Sequence, residues 1–291
     1  MTSATFAFLL AAAMTPPVRC IARAIGAVDV PDGGRHRHAR PTPRLGGLGL
    51  FFAVTAALLL WEKVTPVAAC LLSGGALTVA LGMTDDAFSL RPWEKLLGMG
   101  AVSLLPAAFG LFPRAVLTGQ GALPLPPLVG ILFSAFLSLL LMNAWNLADG
   151  ADGLVSVVTL TTLAGLSLAG RPHVGALGGA AAGFLFYNAP PASVFLGDSG
   201  ALFLGYAVSV LLLSEPVFSP LILLLAAYPL LDLLLAVLRR LGRGQSPFAA
   251  DGEHLHHRLR RAGLSPGEML LIVGAVSLVL SLLGGGILAN M

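Results

Sequence analysis

The sequence predicts an all-α, polytopic integral membrane protein with about ten transmembrane helices, in a single membrane domain covering residues 1–291. Hydrophobic residues make up 56% of the chain and charged residues 11%, whereas soluble domains carry about 25% charged residues. The mean hydropathy is +0.88, which means more apolar surface than one soluble core of this length can bury. The apolar residues also fall into long stretches separated by short polar segments, which indicates repeated membrane crossings.

Ten apolar segments are candidates for crossing a bilayer, for which a helix needs about 20 mostly apolar residues. They are residues 3–20, 44–61, 65–83, 96–112, 125–144, 154–170, 173–188, 198–214, 217–238 and 268–288. The first segment has no basic flank before it, so we interpret it as a membrane helix rather than a signal peptide. Turn residues at 114–127 predict a small structure between the fourth and fifth segments.

Basic residues are distributed very unequally between the two sets of connecting loops. With ten crossings, the loops at 21–43, 84–95, 145–153, 189–197 and 239–267 face one side of the membrane. That side, with the helix ends beside it, carries 14 of the 17 Lys and Arg residues, and the other side carries 3. The positive-inside rule therefore places the basic side in the cytoplasm and both chain termini outside.

Six aspartates in or beside these loops belong to the basic side. They are Asp85, Asp86, Asp149, Asp152, Asp198 and Asp251. A transporter more often places its ionisable residues near the middle of the membrane, at interrupted helices. Acids gathered at one surface therefore favour an enzyme working at the membrane face. The alternatives are a transporter of an anionic or lipid-linked substrate and a non-catalytic scaffold.

One apolar stretch contains four polar residues at intervals of three, Asn143, Asn146, Asp149 and Asp152. On a continuous helix Asn146 and Asp149 are near neighbours, whereas the outer two diverge to opposite faces. Carboxylate and amide oxygens suit Mg²⁺, which is usually held by one or two carboxylates together with substrate phosphates. The pattern therefore predicts a magnesium-assisted reaction on a phosphorylated substrate, with Mn²⁺ as the alternative ion.

The same features have ordinary structural interpretations. Adjacent acids such as Asp85–Asp86 are typical of a solvated helix end, and an aspartate such as Asp198 at a helix start is typical of an N-cap. The H-x-H-H cluster at 254–257 has no cysteine beside it, which makes it weak as a zinc site. Because imidazolium and guanidinium groups donate to phosphate oxygens, the cluster and the adjacent Arg258 fit phosphate contacts better.

Five motifs, in their order along the chain, resemble those of the polyprenyl-phosphate N-acetylhexosamine-1-phosphate transferase superfamily. They are DVPDGGRHRHARPTPRLGGLGL from residue 29, DDAFSLRPWEKL from 85, NAWNLADGADGL from 143, VFLGDSGALFLG from 194, and the last loop, which contains HLHHRL from 254. The last of these resembles the bacterial branch that transfers GlcNAc 1-phosphate to undecaprenyl phosphate.

The resemblance implies a reaction in the bacterial inner membrane. The phosphate of undecaprenyl phosphate attacks the β-phosphorus of UDP-GlcNAc, or of another UDP-HexNAc; UMP leaves, and a polyprenyl-diphosphate sugar remains. The roles that it implies are catalysis by Asp85, Asp86 and Lys95, Mg²⁺ binding by Asp198 and Asn146, nucleotide or diphosphate binding by Asp149, Asp152 and Asn146, and sugar or phosphate binding by His254, His256, His257 and Arg258. For the mechanism we expect direct displacement, with Asp85 positioning or deprotonating the lipid phosphate. A covalent phospho-aspartyl intermediate on Asp86 is the alternative.

Three more residues are candidates for the site. Asp232 lies inside the ninth apolar segment, where an unpaired charge would be costly, so we expect it to face the helix bundle near the site. A structural hydrogen bond to a neighbouring helix is the alternative for Asp232. Arg44 and His38, in and beside the first loop, are the other two candidates.

The expected partners are the UDP-sugar, undecaprenyl phosphate and membrane lipid, with no nucleic acid. Gly175, Gly179 and Gly183 form a doubled G-x-x-x-G in the seventh apolar segment. Small residues at this spacing predict close helix packing, and a homodimer contact is the alternative use of the same face.

Overall fold

The structure, a computed structural model, describes residues 1–30, 41–246 and 252–290. The predicted all-α bundle is confirmed. The helices are α1 (Ser3–Ala24), α2 (Gly46–Trp61), α3 (Pro66–Phe88), α4 (Pro92–Ser103), α5 (Leu105–Ala108), α6 (Pro127–Ala148), α7 (Leu154–Leu168), α8 (Val174–Asn188), α9 (Gly197–Leu212), α10 (Ala227–Gly242), α11 (Leu255–Arg261) and α12 (Pro266–Ala289). A 3-10 helix, Pro220–Ala226, leads into α10. The strands are β1 (Val28–Asp29), β2 (Thr42–Pro43), β3 (Ala115–Thr118), β4 (Gly121–Pro124) and β5 (Val217–Phe218).

The helices are of two kinds by length. Within the described residues, five segments are long and apolar enough to cross a membrane, namely α1, α3, α6, the continuous segment Pro220–Gly242, and α12. The shorter apolar helices are α2, α7, α8 and α9. The chain is therefore a multi-pass membrane protein, and ten crossings remain a prediction. Nearly every residue of α9 is buried, as expected for a helix that is apolar on all sides and lies at the centre of a bundle.

The fourth apolar segment differs most from its predicted bounds of 96–112. Its helix begins earlier because Pro92 occupies the first turn and Arg91 N donates to Glu94 Oε2 at 2.8 Å, completing a cap. It is interrupted at Leu104, just before Pro106, because a proline lacks an N–H donor and crowds the preceding turn. The early start places Lys95 inside a helix rather than in a loop.

The doubled G-x-x-x-G lies against α1 of the same chain. A Cβ atom on Gly179 would lie 2.1 Å from Ala4 O, and one on Gly183 would lie 2.3 Å from Phe8 O. Only glycine allows the two backbones to approach this closely. Close helix packing is thus confirmed at Gly179 and Gly183, whereas Gly175 is exposed and a homodimer contact stays a prediction.

One end of the bundle collects the loops that were predicted to lie outside. β3 pairs antiparallel with β4 and parallel with β5, so the turn-rich segment at 114–127 is a hairpin joined to the loop after α9. Arg171 pairs with Glu215 at 2.7 Å, and His173 pairs with Glu62. Trp61 Nε1 donates to Met1 O at 3.0 Å, so the chain start lies at this end too.

Candidate functional site

The polar residues of the second, third and fourth motifs meet at the other end of the bundle. Asp85 and Asp86 lie in the last turn of α3, and Asn146 lies in the last turn of α6. Lys95 is in the first turns of α4, and Asp198 is in the first turn of α9. Four helices thus deliver one side chain or more each to a single cluster.

Lys95 is the cation of this cluster. Its Nζ lies 2.7 Å from Asp85 Oδ2 and 3.1 Å from Asp198 Oδ1, and its side chain is 16% exposed. Asp85 Oδ1 also accepts a hydrogen bond from Leu90 N at 2.8 Å. Both oxygens of Asp85 are therefore engaged, one with the turn between α3 and α4 and one with Lys95.

Asp198 connects the remaining members. Its Oδ1 also accepts a hydrogen bond from Asn146 Nδ2, and its backbone N donates to Asp86 Oδ1 at 3.4 Å. The other oxygen of that acid, Asp86 Oδ2, is buried and has no hydrogen-bond partner among the described residues. A buried carboxylate oxygen without a partner is costly, which marks the place as one that a cation or a donor group would complete.

Glycines allow the start of α9 to reach these residues. A Cβ on Gly82 would lie 2.2 Å from Ser199 N, and one on Gly47 would lie 2.2 Å from Gly200 N. Gly197 has φ +72°, a conformation that residues with a side chain rarely adopt. The segment that carries Asp198 is therefore inserted between the start of α2 and the end of α3, where backbone packs directly on backbone.

Backbone hydrogen bonds hold the same segment from the first motif. Phe195 N donates to Pro43 O at 2.7 Å, and Gly46 N donates back to Phe195 O at 3.1 Å. Arg44 forms an ion pair with Asp29, so its guanidinium joins β2 to β1 at the edge of the site. His38 and Asp251, two residues of interest in the sequence, lie outside the described residues.

The third motif bends after Asn146, and its two aspartates separate. Asp149 is half-buried beside the cluster, and burial, followed by the nearby carboxylates of Asp198, Asp86 and Asp152, raises the pKa of Asp149 to about 8. Asp152 Oδ2 accepts a hydrogen bond from Ala192 N at 2.9 Å, which fixes the loop after α8. The structure therefore gives Asp152 a loop-holding contact, and its role toward the nucleotide stays a prediction.

The last loop packs onto this third motif through a helix that the sequence did not predict, α11. His256 of α11 is 2% exposed, and a Cβ on Gly150 would lie 2.2 Å from its Nε2. Burial, with the adjacent His257, lowers the pKa of His256 to about 4, so the ring is neutral at pH 7. His257 and Arg258 are exposed, whereas His254 is buried against Asp232.

Asp232 has the position expected from the sequence. It faces the bundle with 1% of its surface exposed, and its hydrogen bonds go to the last loop rather than to another membrane helix. The residues missed by sequence reasoning are Gly47 and Gly82, because nothing in a single sequence distinguishes them from other glycines in apolar helices. The Asp29–Arg44 pair was also missed, since neither partner lies in a helix.

The oxygen atoms of the cluster suit Mg²⁺, which shares its coordination with waters and substrate, better than they suit a metal that protein side chains must hold alone. No group of three His, Cys, Asp or Glu side chains within the described residues is arranged to hold a metal by itself. Two carboxylates, Asp86 and Asp198, and the amide of Asn146 lie together, and Asp86 Oδ2 lacks a partner in the part of the chain that is described. Mg²⁺ usually takes one or two carboxylates and completes its shell with waters and substrate phosphates, which suits this set.

Comparison with known proteins supports the family that the motifs resemble. The sequence profile of glycosyl transferase family 4 matches residues 68–215. A probable undecaprenyl-phosphate N-acetylglucosaminyl 1-phosphate transferase of Bacillus subtilis is 35% identical, over 92% of this chain and 79% of the relative. The decaprenyl-phosphate N-acetylglucosaminephosphotransferase of Mycobacterium tuberculosis is 30% identical, over 89% of this chain and 75% of the relative. The undecaprenyl-phosphate alpha-N-acetylglucosaminyl 1-phosphate transferase of Escherichia coli is 26% identical, over 91% of this chain and 78% of the relative.

The profile covers half of the chain, from α3 to the end of α9, and so includes the helices that deliver Asp85, Asp86, Lys95, Asn146 and Asp198. The relatives at 30% identity or more extend the similarity over most of the chain. The chain therefore belongs to glycosyl transferase family 4, as the resemblance of its motifs predicts.

Proposed function

We propose that the protein transfers GlcNAc 1-phosphate from UDP-GlcNAc to undecaprenyl phosphate in the bacterial inner membrane. An oxygen of the lipid phosphate forms a bond to the β-phosphorus of the donor, the bond from that phosphorus to the bridging oxygen breaks, and UMP leaves. The observation that carries the proposal is the cluster of Lys95, Asp85, Asp198 and Asn146 at one end of a membrane bundle. The relatives, whose names specify this transfer, support the same reaction.

The charge of the substrates decides what the residues must do. A phosphate monoester has its second pKa near 6, so the lipid phosphate is mostly a dianion at pH 7 and needs little help from a base. Repulsion between two anionic substrates is the larger barrier, and Lys95 supplies a positive charge against it. Asp85, with both oxygens engaged, holds Lys95 in place rather than taking a proton.

Asp198 and Asn146, with Asp86 beside them, are the residues that we propose to hold Mg²⁺. When bound, the ion would neutralise the donor diphosphate and stabilise the leaving UMP. Asp149 lies next to this group, and its pKa is raised first by burial and then by the neighbouring acids, whose mutual repulsion a divalent cation would relieve. The exposed His257 and Arg258 are suited to contact phosphate or sugar oxygens from the side of α11.

Direct displacement is the mechanism that the geometry favours. A phospho-aspartyl intermediate would require Asp86 Oδ2 to reach the donor phosphorus. That oxygen is buried, and a Cβ on Gly197 would lie 2.8 Å from it, so it is covered by the chain. Trapping a phosphosugar adduct on the enzyme in the absence of lipid acceptor would contradict direct displacement.

The orientation follows from charge. We place the cluster on the cytoplasmic side and both termini outside, because 14 of the 17 basic residues belong to the loops and helix ends of the cluster side. Single cysteines in a cysteine-free background test this, one at Gln120 in the β3–β4 turn and one at Gly252 before α11. An impermeant maleimide added to intact spheroplasts should label the first and spare the second. The reverse pattern would invert the orientation.

The reaction itself is tested by release of UMP from purified protein given Mg²⁺, undecaprenyl phosphate and UDP-GlcNAc. Asp198→Asn should lose at least about a thousandfold in rate while keeping its melting temperature, since it removes the negative charge at the centre of the cluster. Glu215→Gln, which breaks an ion pair at the opposite end, is the matched control and should keep its rate. If UMP is released only from another UDP-HexNAc, the assignment of GlcNAc as the donor sugar is wrong. If no UDP-sugar gives UMP, the proposed enzymatic function is refuted.

A further inference from the structure

Asp232 is a buried acid whose two oxygens are both used by the last loop. It lies in the apolar helix α10 and is 1% exposed. Its Oδ2 accepts a hydrogen bond from His254 Nδ1 at 2.9 Å, and its Oδ1 accepts one from Leu255 N at 2.7 Å. An ionisable residue inside a membrane helix costs stability unless partners satisfy it. Both partners of Asp232 lie at the start of α11.

The short helix α11 depends on these contacts. Its seven residues are too few to form a stable helix alone, and its N-cap residue His254 makes no side-chain cap hydrogen bond. Leu255 is the first residue of α11, so Asp232 supplies the missing acceptor from another helix. The negative charge also lies at the positive end of the helix dipole.

The anchored helix reaches the site through His256. The ring of His256 lies parallel to that of His254, with the ring centroids 5.8 Å apart. On its other side, Nε2 of His256 packs on Gly150, which follows Asp149 of the cluster. A continuous set of contacts therefore runs from Asp232, through the start of α11, to the third motif.

We propose that Asp232 is a positioning residue for the transfer reaction. It fixes the orientation of α11, and so holds His256 on Gly150 and presents the exposed His257 and Arg258 to the phosphates of the donor. This inference rests on the proposed function, because it assigns Asp232 a part in that reaction. A structural role alone would make Asp232 important for stability and irrelevant to the kinetics of the folded enzyme.

Substitutions separate the two hydrogen bonds. Asp232→Ala removes both acceptors, and His254→Ala removes one donor. His254→Asn keeps a donor, because the amide nitrogen of asparagine occupies nearly the place of Nδ1. Thr162→Val is the matched control. Thr162 Oγ1 donates to Leu225 O at 2.7 Å, so the substitution removes a buried hydrogen bond to the segment that leads into α10.

The first measurement is UMP release by the full-length protein in lipid nanodiscs. We expect Asp232→Ala to lower kcat/KM for UDP-GlcNAc roughly tenfold to a hundredfold, as misplaced site residues do. His254→Ala should lower it by a similar factor, His254→Asn should recover most of it, and the double alanine variant should be no worse than either single one. Thr162→Val should keep kcat/KM. Equal losses in Thr162→Val and Asp232→Ala, or a wild-type rate in Asp232→Ala, would overturn the proposal.

The second measurement is independent of activity. Hydrogen exchange followed by mass spectrometry should show faster exchange at residues 255–261 in Asp232→Ala than in the wild type, and no change there in Thr162→Val. If no UDP-sugar gives UMP, the proposed function fails while the exchange data still report whether Asp232 holds α11. Unchanged exchange at α11 in Asp232→Ala would overturn the anchoring itself.

Discussion

Replacing Gly82 with alanine tests whether the site depends on the close approach of α3 and α9. The Cβ atom of Gly82→Ala would lie 2.2 Å from Ser199 N and 2.3 Å from Ser199 Cα, both backbone atoms at the start of α9. Contacts of a Cβ below 3.0 Å are essentially absent from real structures. The start of α9 must therefore move by about 0.8 Å, the difference between 3.0 Å and the 2.2 Å contact.

That movement falls next to the centre of the cluster. Asp198 precedes Ser199 and contacts Lys95 and Asn146, so its carboxylate shifts relative to groups on α4 and α6. A misplacement of about 1 Å costs about a hundredfold in rate. Overpacking costs about 1–3 kcal/mol of stability, and the better helix propensity of alanine returns up to about 1 kcal/mol. We expect kcat/KM to fall about a hundredfold with a net loss of no more than about 2 kcal/mol.

The assay is UMP release at saturating Mg²⁺, together with the melting temperature of the same preparation. Gly100→Ala is the matched control, because Gly100 lies in α4 and a Cβ there would meet no atom within 4 Å among the described residues, the backbone of its own helical turns apart. It should keep its kcat/KM and melt at the same or a slightly higher temperature. If Gly82→Ala keeps kcat/KM within threefold of the wild type, the spacing of α3 and α9 does not limit the reaction and our reasoning is wrong.

Three further predictions concern charge. Lys95→Met should lower kcat/KM at least about a hundredfold. It also leaves Asp85 and Asp198 repelling each other, so added Mg²⁺ should raise its melting temperature more than that of the wild type. An equal rise in both proteins would contradict the pairing of Lys95 with these acids. Removing Mg²⁺ with a chelator should stop UMP release, and its return should restore the rate; activity that survives chelation would refute the metal assignment. His256 is neutral in the folded protein down to its pKa of about 4, while the unfolded chain takes up a proton below about 6.5, so this residue makes stability fall as the pH drops between those values. Between pH 7 and pH 4, His256→Gln should therefore lose up to about 3 kcal/mol less stability than the wild type, measured by denaturation at both pH values. Parallel losses would show that folding does not lower the pKa of His256.

The membrane character, the grouping of the loops at two ends and the residues that form the polar cluster could be predicted from the sequence, and the roles of those residues stay predictions. A bilayer imposes strong one-dimensional rules, since spans must be long and apolar and basic residues collect on one side. The loops that carry few basic residues do meet at one end, as shown by the Arg171–Glu215 pair and the β3–β5 pairing. Asp85, Asp86, Lys95, Asn146 and Asp198 were named from motifs and lie in one cluster.

Only the tertiary structure decided which residues touch. Lys95 and Asp198 are far apart in sequence, and so are Gly82 and Ser199, and their contacts depend on how α4, α9 and α3 are rotated against one another. A helix that is apolar on all sides gives no sign of the face that it turns inward, so hydropathy could not fix those rotations. The contacts between Asp232 and α11 could not be predicted for a similar reason. An acid in an apolar helix indicates that a partner exists, and only the packing of the chain determines which residue that partner is.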